Sequence, residues 1–563
     1  MAVPLGATLG VPGKDLPEDQ QVALQRNHDA DFPVEPIAVH TKHLSTSTDP
    51  HDEKHAAKAH SISSSSSGIV HSHDQQRQHD LEKGASTTIT TANEEPSDPN
   101  IIDWDGPDDP ANPLNWSSLK KFGNLFILSM MTFLTPLASS MFAPGVPQLM
   151  HEFDSSSTLL ATFVVSVYVL GFAIGPLIVA PLSELYGRLA IYHTCNVGFI
   201  VFTVACAYAP NITAFIVFRF FQGCWGVAPL TIGGGTIVDM VPAERRGRIM
   251  SAWSLGPLIG PVIGPVAGGF LAGSVGWRWI FLVISIASGV VTLVAFVVLR
   301  ESYPVTLLAN KTKRLQKETG NMDLRSKLDL GLTPKALFIR SIMRPTKMLL
   351  FSPVCALMSL FMAVLYGFLY LLFTTFTYVF RDVYGFGAST VGLTYLGSGI
   401  GFFIGLGVMA FTSDSLLARL TAKNGGVMKP EYRLPQLVCA VPLLPIAFLI
   451  YGWTAEFHVH WIVPIFGTLI LGIALNIAFM AVCTYLVDSF TIYAASAMAA
   501  NTVLRSLFGG VIPLFGLQMY NKLGLGWGNS LLAFVALALC PIPWLFYVYG
   551  ERLRTSKRFQ VTF

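Results

Sequence analysis

The chain has 563 residues, of which 52% are hydrophobic and only 13% charged, and a formal net charge of +3; its mean hydropathy is +0.52. Soluble domains carry about 25% charged residues, so the composition argues against a water-soluble globular protein, and so small a net charge supplies no argument for a nucleic-acid partner. Seven cysteines, mostly within apolar runs and without a CxxC spacing, imply neither a zinc site nor a disulfide framework.

Residues 1–100 stand apart. They are polar, rich in Ser, Asp and His, with a serine run from Ser63 to Ser67 and nine histidines: His28, His40, His43, His51, His55, His60, His71, His73 and His79. Their irregular spacing argues against a metal site, and the composition predicts a disordered cytosolic tail, with its serine tract open to phosphorylation. The start lacks a basic region followed by an apolar core, so the first spanning helix is expected to act as the insertion signal.

A pre-membrane segment, 101–121, leads into twelve apolar runs, each of about the 20 residues that a bilayer crossing needs. Their limits are 122–143, 159–181, 189–209, 213–240, 247–271 and 277–299, then 347–371, 389–411, 435–453, 461–487, 493–520 and 527–549. The expected fold is an all-α membrane protein with a six-helix bundle at 122–299, a basic cytosolic loop at 300–346, a second six-helix bundle at 347–549 and a cytosolic tail at 550–563. Arg245, Arg246 and Arg248, the 300–346 loop, Arg419, Lys423, Lys429 and Arg433, and the C-terminal arginines all fall on the side of both termini, whereas 144–158, 210–212 and 454–460 carry no Lys or Arg. The positive-inside rule then places both termini in the cytosol. The sequons at Asn115, Asn211 and Asn310 become poor glycosylation sites.

The two halves repeat each other. Gly171-Phe-Ala-Ile-Gly175 is followed by Ala180, Ser183 and Glu184, and Gly401-Phe-Phe-Ile-Gly405 by Ala410, Ser413 and Asp414; Ile237-Val-Asp239 and Leu486-Val-Asp488 close the fourth and tenth runs.

Within the fifth run, Gly260-Pro-Val-Ile-Gly264-Pro265-Val-Ala-Gly268-Gly269 combines poor helix formers that only a membrane tolerates. A tightly packed helix seam is the plain reading. The pattern also resembles the fifth-helix antiporter signature of the drug:proton exporters of the major facilitator superfamily. Ala180-Pro-Leu-Ser183-Glu184-Leu-Tyr-Gly187-Arg188 resembles that family's cytoplasmic gate motif, with Glu184 in place of Asp, and with Ala180 and Leu189 departing from its Gly and Lys. A latch joining these residues to Asp239, Arg245 and Arg248 is expected, against simple solvated charges. Arg219, Gln222 and Gly223 match the R-x-x-Q-G motif of the fourth helix, for which the resemblance implies proton coupling; snorkelling to an interface is the alternative. Asp103-Trp-Asp-Gly-Pro-Asp-Asp-Pro110 and Asn112-Pro-Leu-Asn-Trp116 are similar to the pre-helix signature of the fungal members, and read as an interfacial anchor.

The resemblance places the substrate path along helices 1, 4, 7 and 10, with Thr135, Tyr366, Tyr370, Thr374, Asn476 and Phe479, while Asn501 and Arg505 lie in the eleventh run. Few charges among aromatic residues suit amphipathic organic molecules. No acidic residue lies deep in any run, which leaves Glu184 and Asp239 as the nearest proton carriers. The leading expectation is proton-coupled efflux of drugs, toxins or secondary metabolites by a monomer in the plasma membrane, or the vacuolar one, without a cofactor. Alternatives are a dedicated transporter of one metabolite, such as a polyamine or organic acid, and a transporter-like sensor. No spanning run holds a nucleophile–base pair or a metal cluster, which argues against an enzyme, and Gly13-Lys14 lacks the rest of a P-loop, which argues against an ATP-driven pump.

Overall fold

The computed structural model describes residues 100–329, 331 and 333–556. The expectations for the tail, its histidines and its serine run fall on residues 1–99, outside the described residues.

The first six spans are α1 (Ser118–Ser140) continued by the short α2 (Val146–Glu152), α3 (Thr158–Tyr186), α4 (Arg188–Ala207), α5 with α6 (Ile212–Gly226, Ala228–Met240), α7 (Ala243–Ser274) and α8 (Arg278–Val298). Polar side chains start three of them: the Ser117, Ser157 and Asn211 oxygens accept from the backbone amides of Lys120, Leu160 and Ala214, satisfying donors that a first turn leaves orphaned. Two helices follow outside the spans, α9 (Pro304–Thr319) and α10 (Pro334–Phe351). The later spans are α11 (Pro353–Asp382), α12 with α13 (Ala388–Thr394, Leu396–Lys423), α14 with α15 (Pro435–Ala440, Leu443–Glu456), α16 (Ile462–Phe490), α17 (Ala494–Val511), and α18 with α19 (Gly516–Leu539, Pro541–Thr555).

Among the described residues, 11 helical stretches are long and apolar enough to cross a membrane. The last, Ala494–Thr555, has 62 residues, three times what one crossing needs. Gly524, at φ +76°, breaks its helical path, and so it holds the eleventh and twelfth spans. Several expected limits shift: the eighth span runs to Lys423 rather than residue 411. The seventh span begins at Pro353 rather than residue 347 and runs to Asp382 rather than residue 371, because Ser352 leaves helical geometry and the apolar run continues through Phe380.

Helices in lipid gain nothing from hiding apolar surface from one another, so close approach of small residues has to hold them. The repeated Gly-x-x-x-Gly pairs do this. A Cβ on Gly171 would stand 2.6 Å from the Phe220 carbonyl oxygen, and one on Gly175 2.7 Å from that of Cys224, so α3 lies backbone to backbone on α5. In the second half, a Cβ on Gly405 would stand 2.8 Å from the Ile473 carbonyl oxygen of α16. Aromatic residues fill the second half's core, among them Phe361, Phe376, Phe380, Tyr395 and Tyr451.

The face carrying Ser118 and Thr555 is the terminal face; the opposite one is the distal face. On the terminal face the pre-membrane segment pairs with the inter-half loop. Strand β1 (Ile101–Ile102) runs parallel to β2 (Arg325–Ser326). Lys327 Nζ lies 2.6 Å from Asp103 Oδ2, and Lys311 Nζ lies 2.5 Å from Asp105 Oδ1. The expectation of a membrane-interface anchor is corrected for Trp116, which is buried in the same core cluster of the first half as Leu128 and Met240. The pre-helix signature folds onto protein.

Candidate functional site

Span 1 breaks after Ser140, and a helix end leaves backbone carbonyls without partners. The guanidinium of Arg219 fills that end. It is fully buried (0% exposed) and donates from Nη1 to the Ala138 carbonyl (3.1 Å) and the Gln222 side chain (2.9 Å), from Nη2 to the Ser139 carbonyl (3.3 Å), and from Nε to the Val164 carbonyl (3.4 Å). Tyr168 lies against it, 4.7 Å from the guanidinium carbon to the ring centroid. Gln222 is held in turn by donating to Thr203 Oγ1 at 2.8 Å. Partial negative charge at a helix C-terminus, rather than a carboxylate, neutralises this cation. Arg219 does not snorkel.

The same helix end bridges the halves. Ser139 Oγ and Tyr370 OH of α11 lie 2.9 Å apart, and the Thr377 hydroxyl donates to the Ala143 carbonyl at 3.2 Å. Tyr370 packs on Tyr366, the rings tilted at 54° with centroids 5.0 Å apart, and the Tyr366 centroid lies 5.0 Å from the Arg505 guanidinium carbon. One chain of contacts thus joins the two deep arginines across the interface: Arg219, Ser139, Tyr370, Tyr366, Arg505. Above it a cleft of about 760 Å³ opens to the distal face between Pro147, Trp277, Arg381 and Phe386, with Thr377 in its wall.

The glycines of α7 occupy two seams. Cβ atoms on Gly260 and Gly264 would meet α1 backbone at 2.8 Å from Leu137 N and 3.0 Å from the Leu137 carbonyl oxygen, and one on Gly268 would collide with the Met141 carbonyl oxygen. Gly269 turns toward the second half, 2.6 Å from the Ala388 carbonyl oxygen by the same construction, and a Cβ on Gly392 would stand 2.5 Å from the Pro265 carbonyl oxygen. The motif lets α7 lie against α1 on one side and α12 on the other. Gly223 serves an equivalent seam, pressed on the Tyr168 carbonyl of α3.

On the terminal face Gly187 takes φ +91°, which turns the chain from α3 into α4. Arg188 lies 3.4 Å from Asp239 Oδ2 through Nε and donates to Ser183 Oγ at 2.8 Å. Glu184 instead accepts from Ser341 of α10 at 3.2 Å. Arg245 is exposed, and the Arg248 side chain lies outside the described residues. Two residues of these terminal-face clusters, one in each half, were not anticipated. Glu301 caps α4, accepting from the Arg188 and Leu189 amides at 3.0 Å each. Arg433 builds the second half's counterpart, lying 3.0 Å from Asp488 and 2.9 Å from Asp414 and donating to Ser413 Oγ at 3.0 Å. The pairing of Ser183 with Ser413 and of Asp239 with Asp488 in the repeat was the signal that could have found Arg433.

The expected cavity residues separate. Thr135 is buried and donates to the Gly226 carbonyl at 2.8 Å, which satisfies the group freed where span 4 breaks; with Met131 and Asn196 it also lines a small cavity in the first half. Thr374 is buried and back-bonds to Leu371. Asn476 is buried with its Oδ1 unpartnered, Asn501 is fully buried (0% exposed) with neither amide atom partnered, and the half-buried Arg505 stands over the rings of Tyr366 and Phe479. Among the described residues no group of three or more His, Cys, Asp or Glu side chains could hold a metal ion.

Comparison with known proteins accords with this architecture. The family profile described as Major Facilitator Superfamily matches residues 128–513. The chain is 60% identical over 470 residues to the MFS-type transporter penM of Penicillium rubens, covering 84% of this chain and 92% of that one, and 56% identical over 479 residues to the efflux pump radE of Floropilus chiversii, covering 85% and 89%. Among solved structures, it resembles a bacterial homolog of the human lysosomal transporter Spinster, in an inward-facing and unoccupied conformation (TM-score 0.55, 17% identity, 80% of this chain and 100% of that one), and the xylose transporter XylE from E. coli, partially occluded and inward open (TM-score 0.55, 15% identity, 76% and 99%). The chain belongs to the Major Facilitator Superfamily: it is a multi-pass membrane transporter of small molecules, not an enzyme.

Proposed function

We propose that this transporter exports small amphipathic organic molecules, drugs, toxins or secondary metabolites, by proton-coupled alternating access. The observation that carries the reading is the Arg219 junction: a fully buried cation, held by the broken end of span 1, sits one hydrogen bond from the Ser139–Tyr370 bridge between the halves. Deepening the distal cleft past this level requires that bridge to part, which couples the environment of the cation to the state of the carrier. The name of the efflux pump relative supports the direction.

The terminal clamps supply the proton-sensitive element. Asp239, paired with Arg188, loses that pairing when protonated, which frees α4 from α6. Asp488 with Arg433 is the counterpart. The monomer functions in the plasma membrane or the vacuolar membrane with both termini cytosolic, a topology supported by the basic loops on the terminal face.

Inside-out vesicles or proteoliposomes with an imposed proton gradient test the reading. Gradient-dependent uptake of several amphipathic dyes or azoles is expected, and Arg219→Ala, recovered monodisperse, should abolish it. Uptake indifferent to the gradient in the folded wild-type protein would sink the proton coupling.

A further inference from the structure

Two arginines lie deep in the spans, and they are treated differently. Arg219 donates four hydrogen bonds. Arg505, in the middle of α17, has no hydrogen-bond or ion-pair partner among the described residues, and its Nε is buried without an acceptor. Its neighbours are two rings, Tyr366 of α11 and Phe479 of α16, each with its centroid 5.0 Å from the guanidinium carbon. A cation at that depth is costly unless something compensates it, and no carboxylate of any span lies deep enough to do so.

A second observation points the same way. Asn501 lies one turn before Arg505 on the same helix face. It is fully buried, yet neither its amide oxygen nor its amide nitrogen has a partner. Asn476 of α16, one turn before Phe479, is buried with an unpartnered Oδ1. Buried polar atoms are nearly always satisfied. Here two spans, α16 and α17, carry unsatisfied polar atoms within a turn of the residues that meet around an uncompensated positive charge, and α11 adds the ring of Tyr366.

We propose that Arg505, with Asn501 and Asn476, forms the polar end of the substrate site, and that the transported class is an amphipathic organic acid, carried as its deprotonated oxygen anion with its apolar body against Tyr366 and Phe479. The substrate supplies the missing negative charge. Bidentate pairing of a guanidinium with a carboxylate or an acidic enolate gives both strength and orientation. The amides select neighbouring hydroxyl or carbonyl groups. This rests on the transport reading above and names its substrate class.

The test uses the full chain in lipid nanodiscs, with affinity read from thermal-shift titration. The probes are 2-naphthoate and 6-pentylsalicylate, each beside its methyl ester, and 2-naphthylmethylamine. Each acid is expected to bind about 10- to 100-fold more tightly than its ester, the range that a hydrogen bond to a charged group supplies. Arg505→Gln should erase that ratio while leaving ester affinity in place; Arg505→Lys should keep part of it. Asn501→Asp places a carboxylate one turn from Arg505, and should remove acid binding in a protein that still melts cooperatively; this arm stands even where Arg505→Gln fails to fold. Equal affinity for acid and ester, no binding of either acid, preference for the amine, or an acid preference that survives in folded Arg505→Gln each overturns the site. Gradient-driven transport of neutral or cationic compounds alone would remove the anion site and leave the exporter reading intact. Arg505-dependent acid binding without any gradient-driven transport would do the reverse.

Discussion

The seam between α7 and α1 gives the sharpest mechanical prediction, because one substitution made at two glycines should change stability in opposite directions. Gly268 lies where an added methyl would collide with the Met141 carbonyl, while Gly289, in α8, has nothing within 4 Å of the same methyl. Replacing a mid-helix glycine with alanine gains about 0.5–1 kcal/mol of helix propensity at either place. At Gly289 that gain stands alone. At Gly268 it is outweighed by overpacking, which costs about 1–3 kcal/mol and reaches the upper end here because the obstacle is backbone, which cannot rotate aside. Subtracting one variant from the other cancels propensity and isolates the seam, at about 3 kcal/mol. Thermal unfolding in a fixed detergent, followed by tryptophan fluorescence, should place Gly268→Ala below and Gly289→Ala at or above wild type. Equal melting of the two variants would refute the claim that backbone contact sets this seam.

Other consequences are measurable separately. Ser139→Ala or Tyr370→Phe removes one of the hydrogen bonds between halves; an interhelical hydrogen bond in a membrane is worth about 0.6 kcal/mol, so labelling of Thr374→Cys from the distal face should rise roughly threefold, and unchanged labelling would remove the bridge from the gate. Double-mutant cycles on Arg188 with Asp239, and on Arg433 with Asp488, should each show coupling of about 0.5–3 kcal/mol, and the two cycles should be additive with one another; strong coupling between the clamps would contradict their placement in separate halves. The Lys327 ammonium beside Asp103 holds that carboxyl below the usual carboxylate range. A folded value below the unfolded one of about 3.9 means that the stabilisation is complete above that pH and is lost as the pH falls through the lowered value. Hydrogen-exchange protection of the Arg325 and Lys327 amides, corrected for intrinsic rate, should therefore hold from pH 8 to 5 and fall in stronger acid, whereas Asp103→Asn should already show reduced protection at pH 7.

The spans were legible because bilayer thickness imposes a length that composition reveals, and the packing glycines because nothing else explains them in an apolar helix. Boundaries failed where length alone does not decide: the amphipathic α10 runs up to Ser352, and only the departure from helical geometry there separates it from span 7. Contacts between distant residues were hidden. Arg188 sits five positions from its Ser183 partner, but the clamp to Asp414 reaches 19 positions along the chain to Arg433, so the repeat is complete in space and interrupted in sequence. Thr135 shows the limit of helical period: it identifies a face, but the hydrogen bond from that face to the broken span 4 at Gly226 could not be read from it. Asn501 and Arg505 were visible as polar residues in an apolar run, while their lack of partners required the surrounding spans.

The β1–β2 pair sets a mechanical bound on rocking. Residues 300–346 look from their length like a slack leash between the two halves. Yet Arg325 and Lys327 donate backbone hydrogen bonds to Asn100 and Ile102 at 2.7 and 3.0 Å, and the ammonium groups of Lys311 and Lys327 fasten the same strip to Asp105 and Asp103. That portion travels with the first half. From that strip the chain reaches the start of α10 at Pro334 in seven residues, which span at most roughly 25 Å when fully extended. Any excursion that carried α10 farther than this from the strip would first have to peel the pre-membrane strand away.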